Sequence, residues 1–503
     1  MAQAVLSLDQ GTTATKAALV SDEGEFLAFA SVPVKRSYPA AGRVEQDPVE
    51  LWESALAAVN QLPAKGASCL AITAQRESAL FWNKRSGEPL STCASWQCNR
   101  GTELCERLVA EGAAERVQEL TGLPLAPMFS APKLASLLDE TPGLRKLALA
   151  GEACAGTVES WLAYKASGGS LHITDAGQAS RTLLFDVHRM GWSDELLELF
   201  GVPRECLPEV VASSTVYGSA AVGPFRGLPV AALAADSHAA MFGLGCIGTG
   251  TAKATFGTGT SLMSSTGGAP VRSGHGLVTA LAWLLSTGPP TYALEGNVVS
   301  SGATLEWVRR LLGLGDVAEV AELASSVSCS EGVYMVPAFA GLGAPYWQPR
   351  ARAQLSGLAF STERSHVARA ALESVAFQVA DLVGALRSDV NRPISEVHVD
   401  GGATRNDFLM QLQADVLGVP VVRTPAADAA ALGAAFLAGL ATGLFKTVAE
   451  VEALGQKGQR FEPSSEEPER SGRLQGWHKA VSSVLRAAEE DARAGGLGSP
   501  PRT

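Results

Sequence analysis

No two of the eight cysteines (Cys69, Cys93, Cys98, Cys105, Cys154, Cys206, Cys246 and Cys329) form a CxxC pair, and none has a histidine at zinc-ligand spacing. That excludes a zinc framework and predicts reduced, buried thiols in a cytoplasmic protein. Charge is also sparse: 18% of residues are charged, the formal net charge is −11, and no long basic run occurs. Nucleic acid and anionic membrane are therefore not the expected partners. The start, MAQAVLSLD, lacks the basic region and long apolar stretch of a signal peptide. There is no Gly-x4-Gly-Lys-Ser/Thr, HRD or DFG, which removes the P-loop and protein-kinase classes.

Two stretches mimic motifs that the rest of the sequence disowns. GLGCIG at Gly243–Gly248 matches GxGxxG, yet it follows the helix-like SHAAMF and no acidic residue stands at the ribose-reading distance. It reads as a loop between two halves, with a hinge nearby. Ala429–Phe445 carries no charge and approaches membrane-spanning length. Being rich in alanine and glycine rather than leucine and isoleucine, it predicts a buried helix with close backbone packing.

What is present is an α/β pattern. Hydrophobic residues make up 46% of 503, enough for two or three domains with a large core. Strand-like runs (AVLSLD, CLAITAQ, PVAALAAD) alternate with helical ones such as PVELWESALAAVNQL. A second set follows residue 245: TAKATFGTGTSLM, GVYMVPAFAG, the helix HVARAALESVAFQVADLVGAL, then EVHVDGG and another helix. DQGTTATK and FGTGTSLM echo each other, each placing Gly-Thr between β-like runs. From about Pro463 the chain is polar and predicts a loose tail around one short helix containing Trp477, Ala480 and Val481.

Four stretches carry the chemistry. In Asp9-Gln10-Gly11-Thr12-Thr13, backbone amides and hydroxyls suit phosphate oxygens, Lys16 adds charge, and Asp9 suits Mg²⁺; a capped turn is the plainer alternative. Phe256-Gly257-Thr258-Gly259-Thr260 offers a second such turn, or a β-bulge. Asp236 ends an apolar strand and starts a small-residue helix, so it is either a cap or a general base facing a cleft. Gly401-Gly402, with Asn406 behind them, would let a flat ligand approach the backbone, or simply turn a strand into a helix.

In this order the four stretches resemble the actin, Hsp70 and sugar-kinase ATPases. With GRVEQDPVELWE, ITAQRES, SWQCNR, TDAGQASRTLLFD, ALEGNVVSSGATLEWVRRL and VPAFAGLGAPYWQPRAR, the chain resembles the FGGY carbohydrate kinases, and within them the glycerol kinases, from about residue 4 to 460. The resemblance implies two ribonuclease-H-like (actin-like ATPase) domains with a nucleotide and substrate cleft between them. They would occupy 1–245 and 246–462, followed by a tail at 463–503.

It also implies roles. Thr12, Thr13 and Lys16 match the first phosphate turn, with Mg²⁺ at Asp9 and Asp236, and Gly257 and Thr258 match the second. Gly302, Glu306, Gly402 and Asn406 match nucleotide positions, Glu306 standing where glutamine is usual. Asp236 matches the catalytic base. Arg76 and Glu77 match a pair that holds adjacent hydroxyls, as a multi-donor guanidinium beside a carboxylate can; Trp96 matches an indole over the C–H face. Three positions depart from the glycerol kinase pattern: Met128 replaces a tyrosine, Ser237 a glutamine and Ser261 a phenylalanine. Cys98 replaces the aspartate of WQDxR.

The implied reaction is ATP-dependent phosphorylation of a terminal hydroxyl of a small polyol, glycerol first. A kinase for a tetritol, pentitol or pentulose is the alternative, and a non-catalytic ATP-binding protein of the actin or Hsp70 kind is a third reading. The implied partners are the polyol and ATP, without nucleic acid or membrane insertion, and a homo-oligomer is left open.

Overall fold

The computed structural model describes residues 4–63 and 66–494. Two large sheets organise the chain. The first has the strand order Ser214–Ser219, Pro229–Ala235, Ala67–Ala74, Ala4–Gln10, Ala14–Ser21, Phe26–Pro33. Its opening three strands in sequence form an antiparallel meander, while Ala67–Ala74 and Pro229–Ala235 add in parallel beside Ala4–Gln10. The second has the order Val278–Trp283, Thr291–Val298, Thr260–Gly267, Thr251–Phe256, Glu396–Asp400, Val421–Arg423, Gln459–Phe461. Here too the leading strand carries an antiparallel neighbour on one side and parallel strands on the other. The echo between DQGTTATK and FGTGTSLM is thus the same hairpin, the first of each half.

The predicted strands AVLSLD, CLAITAQ and PVAALAAD lie inside the first sheet and are buried on both faces. That explains their nearly continuous apolar character. The helix Pro48–Asn60 starts where its sequence says it should. Asp47 caps it by accepting from the Val49 N–H at 2.8 Å, and Pro48 sits at the first helical position.

Between the sheets lie two helices, Asp236–Gly243 and Ala429–Thr442, each following the last parallel strand of its half's sheet. Their interface is built on absent side chains: a Cβ on Gly433 would sit 1.7 Å from the Ala239 carbonyl oxygen, and one on Gly243 2.3 Å from that of Ala429. The alanine- and glycine-rich run is therefore a buried helix, and its smallness lets two backbones meet. It shares a core with Val5, Ala71, Met263 and Ala293 from both sheets. No helix among the described residues is long and apolar enough to cross a membrane. The glycines of GLGCIG serve packing as well, since a Cβ on Gly245 would meet the Glu452 carbonyl oxygen at 2.5 Å.

A smaller four-stranded sheet, Glu45–Gln46, Cys93–Ala94, Ala79–Asn83 and Ala153–Thr157, flanks the first half. It carries the Trp96 segment beside the Arg76–Glu77 turn.

The tail corrects one expectation. Instead of a short helix in a loose segment, Glu467–Ala494 forms a helix of 28 residues. Trp477 is fully buried, stacks on Phe377 at 5.5 Å and donates from Nε1 to Asp381. Ala480, Val481, Val484 and Ala488 follow it into the core of the second half. The polar composition of the segment concealed a narrow apolar stripe, which is enough for a helix with one buried face. Residues 495–503 lie outside the described residues.

Candidate active site

The two hairpin turns face a cleft between the sheets. In the first, the Gly11 N–H reaches the Ala14 carbonyl, Thr12 and Thr13 project at the tip, and Gln46 Nε2 ties down the Thr12 carbonyl at 3.1 Å. Register pairing sets Asp9 opposite Lys16, and Lys16 Nζ lies 3.3 Å from Asp9 Oδ2 while also bonding Asp428 across the cleft. Burial pushes the Asp9 carboxyl up to about 7; Lys16 opposes this, and Asp428 and Asp236 add to it. Asp9 Oδ1 is buried with no hydrogen-bond partner.

In the second turn Gly257 and Thr258 are exposed at the tip. The turn is pinned to the start of the helix Gly302–Leu311: Gly302 and Ala303 N–H groups donate to the Gly257 and Thr258 carbonyls at 3.0 and 3.1 Å. A Cβ on Gly302 would meet the Gly257 oxygen at 2.6 Å.

Gly401 and Gly402 close the same edge, with different needs. Gly401 has φ +99° and a Cβ there would come within 2.4 Å of the Phe256 carbonyl, whereas Gly402 borders open space. Gly401 is required by packing; Gly402 is the one that leaves room beside the turn. Asn406 caps the helix Asp407–Leu417 through the Leu409 N–H. Glu306 does not point its carboxylate at the two turns; Arg309 holds it along its own helix at 2.6 and 2.9 Å.

Asp236 stands at the head of the inter-sheet helix with 35% of its side chain accessible. Arg76 Nε approaches it to 3.9 Å and Glu77 to 3.8 Å. Desolvation raises the Asp236 carboxyl above its ordinary range, Arg76 opposing and Glu77 adding. Glu77 adopts a left-handed backbone, φ +61°, on a non-glycine residue, the kind of strain that packing must impose. The imposing groups are visible: Ser130 Oγ and the buried Lys133 ammonium both donate to the Glu77 carbonyl, and Lys133 also bonds the Met128 carbonyl. Met128 is thereby placed beside Glu77, half-buried. Trp96 joins the two regions, its Nε1 donating to Thr12 Oγ1 at 2.9 Å. Behind it, Cys98 accepts from Arg100 Nε at 3.3 Å, and Arg100 finds its carboxylate in Glu45.

Five site residues escaped the sequence reading: Arg181, Lys253, Glu295, Asp400 and Asp428. Glu295 grips Arg76 at two points, 2.7 and 2.8 Å, and Arg181 bridges Glu77 (2.7 Å) and Glu295 (3.2 Å). Burial alone would raise the Glu295 carboxyl; Arg181 and Arg76 outweigh it and hold it well below the usual range. Asp400 accepts from Thr255 Oγ1 at the end of its strand. The available signal was a lone charge within an apolar strand, in YALEGNV and TAKATF, and for Asp428 the repeat of Ala-Ala-Asp before a small-residue helix, as at Asp236.

Comparison with known proteins gives the family. Residues 4–243 match the N-terminal domain of the FGGY family of carbohydrate kinases, and residues 252–442 match its C-terminal domain. The chain is 46% identical over 491 residues to a glycerol kinase of Dechloromonas aromatica, covering 96% of this chain and 98% of that protein. It is 44% identical over 487 residues to one of Paraburkholderia phytofirmans, covering 95% and 97%. Among solved structures it resembles Plasmodium falciparum glycerol kinase with ADP, with a TM-score of 0.92 and 29% identity over 96% of this chain and 98% of that one. The ligand-bound xylulose kinase of Lactobacillus acidophilus, with a TM-score of 0.85 and 20% identity over 97% and 98%, shares the fold. With both of its halves matched along nearly their whole length, the chain belongs to the FGGY family of carbohydrate kinases.

Proposed function

We propose that this chain transfers the γ-phosphoryl group of ATP to a terminal hydroxyl of glycerol, giving glycerol 3-phosphate. The observation that carries the reading is the approach of Arg76 Nε to Asp236, 3.9 Å, with Glu77 3.8 Å from the same nitrogen. A carboxylate able to accept a proton stands beside a donor and an acceptor able to fix a diol. Proteins named glycerol kinase, 42–46% identical over almost the whole chain, support glycerol as the diol.

Asp236 takes the proton as the hydroxyl oxygen attacks phosphorus, and the bonding electrons to the leaving oxygen stay with ADP. Its raised carboxyl brings it toward the pH at which it must both accept and release that proton. General-base help of this kind is worth roughly 10²–10⁴-fold, the remainder being positioning and charge stabilisation. Thr12, Thr13 and Lys16 receive phosphate oxygens from one sheet, and Gly257 and Thr258 from the other. Gly302, Gly402 and Asn406 border the nucleotide. Trp96 covers the carbon face of glycerol while keeping Thr12 in place, and Met128 and Ser237 complete the pocket.

The donor set fits Mg²⁺, which takes one or two carboxylates and keeps several waters. Asp9 offers an unpartnered buried oxygen, and no cluster of three or more protein ligands among the described residues suggests an all-protein metal cage. Asp9 and Asp236 would hold the ion, which supplies charge neutralisation on the phosphate oxygens.

Phosphorus NMR of a reaction containing ATP, Mg²⁺ and glycerol tests the proposal. Glycerol 3-phosphate should accumulate with ADP, and Asp236→Asn should produce neither. ATP consumed without phosphorylated glycerol would refute it.

A further inference from the structure

The cations that line the cleft are nearly all committed to carboxylates. Lys16 is held by Asp9 and Asp428, Arg76 by Glu295, and Arg181 by Glu77 and Glu295. Lys253 is not held in this way. It is 1% exposed, and among the described residues no carboxylate lies within ion-pair distance. Its one hydrogen bond is donated to a neutral group, Ser237 Oγ, at 2.9 Å. A buried ammonium with so little compensation weakens the fold, so the fold gains nothing from it as a structural charge.

Its position explains what such a charge is good for. Strand alternation sends Ala252, Ala254 and Phe256 into the core of the second half and turns Lys253 and Thr255 the other way. Thr255 bonds Asp400, and the same strand runs on into the Gly257-Thr258 turn. From the middle of the strand, Lys253 Nζ reaches across to the residue that follows Asp236. The ammonium therefore lies between the polyol side of the cleft and the phosphate-turn side. Burial lowers the Lys253 ammonium below its ordinary range, with Arg76 adding to the fall and Asp400, Glu295 and Asp236 opposing it.

We infer that Lys253 is a further catalytic residue, whose ammonium receives the equatorial oxygens of the phosphoryl group in transit between ADP and the substrate oxygen. The inference rests on the kinase reading above. The substrate O–P bond forms as the bond from phosphorus to the ADP oxygen breaks, the hydroxyl proton goes to Asp236, and Lys253 keeps its own protons throughout. Removing one preorganised donor of this kind lowers kcat by about 10²–10³-fold.

The test compares the wild-type enzyme with Lys253→Met and Lys253→Ala, each assayed on whichever polyol the wild type turns over best, so that the choice of substrate does not decide the result. Lys253→Met should lose about 10²–10³-fold in kcat, with the polyol KM and the Kd for ADP close to wild type and the melting temperature no lower than wild type. Methylammonium added to Lys253→Ala should restore activity, and uncharged acetamide should not. The inference is overturned if kcat survives in Lys253→Met. It is equally overturned if the loss appears in KM or ADP affinity alone, or if it accompanies a lowered melting temperature with no rescue by the cation. The last result would make Lys253 a latch between the halves through Ser237.

Discussion

Arg76 and Glu295 face each other across the cleft as a two-point ion pair, with both terminal guanidinium nitrogens within 2.8 Å of the carboxylate oxygens. Arg76 belongs to the first half and Glu295 to the second, so the pair joins the halves at the polyol side of the site. Charges buried this deeply are costly singly and tolerable together. Glu295→Gln leaves Arg76 short of its partner and should destabilise the protein by about 3–5 kcal/mol, read by denaturant unfolding. It should also raise the glycerol KM at least tenfold, as the guanidinium is no longer held beside Asp236.

Trp96→Phe isolates a different link. The ring remains, but the 2.9 Å bond from Nε1 to Thr12 Oγ1 is lost. A bond of this kind is worth about 0.5–1.5 kcal/mol, so KM should rise for ATP as well as glycerol, by up to about tenfold. A change confined to glycerol would mean that Trp96 does not steady the phosphate turn.

The two adjacent glycines separate packing from binding. Gly401→Ala forces a Cβ to within 2.4 Å of the Phe256 carbonyl at a left-handed φ and should lower the melting temperature sharply. Gly402→Ala points into open space and should leave stability within about 0.5 kcal/mol while weakening ADP binding. Calorimetric titration with ADP, beside thermal unfolding, reads both.

Away from the site, Glu159 gives a pH signature. Its side chain is fully buried, Oε1 accepts from Thr157 and Thr174, and Oε2 has no partner. Burial pushes its carboxyl up from 4.5 to about 7, with Asp175 adding and the two threonines opposing. Between those values the folded protein holds a proton that the unfolded chain has released. This group's contribution to stability therefore declines as pH rises from about 4.5 to about 7, and the cost is complete above that. Glu159→Gln should match wild type near the lower end and be more stable above the upper end, by up to about 3 kcal/mol. Unfolding curves across this range check the sign.

Much of this was legible in the chain because each half announces itself by a strand, a Gly-Thr turn and a second strand. The parallel strands were apolar on both faces and could be read as buried. Asp236 stood out because a polar group interrupted such a run at a strand end, whereas Arg76 and Glu77 came from the family resemblance. Lys253 and Glu295 did not: they lie mid-strand on the face that turns to the cleft, and only the sheet's register reveals which face that is. The tail helix was missed because its apolar residues occupy a narrow stripe among many charges. Gly401 and Gly402 looked equivalent in sequence, and only the backbone geometry separates them.

The pocket departures at Met128, Ser237 and Ser261 make substrate choice the sharpest test of the account. Initial rates of ADP release should be measured with glycerol, dihydroxyacetone, tetritols, pentitols and pentuloses under identical ATP and Mg²⁺. The highest kcat/KM is expected for glycerol. A higher value for a longer polyol or a ketose would contradict it, and would mean that those three substitutions have rebuilt the pocket for another substrate.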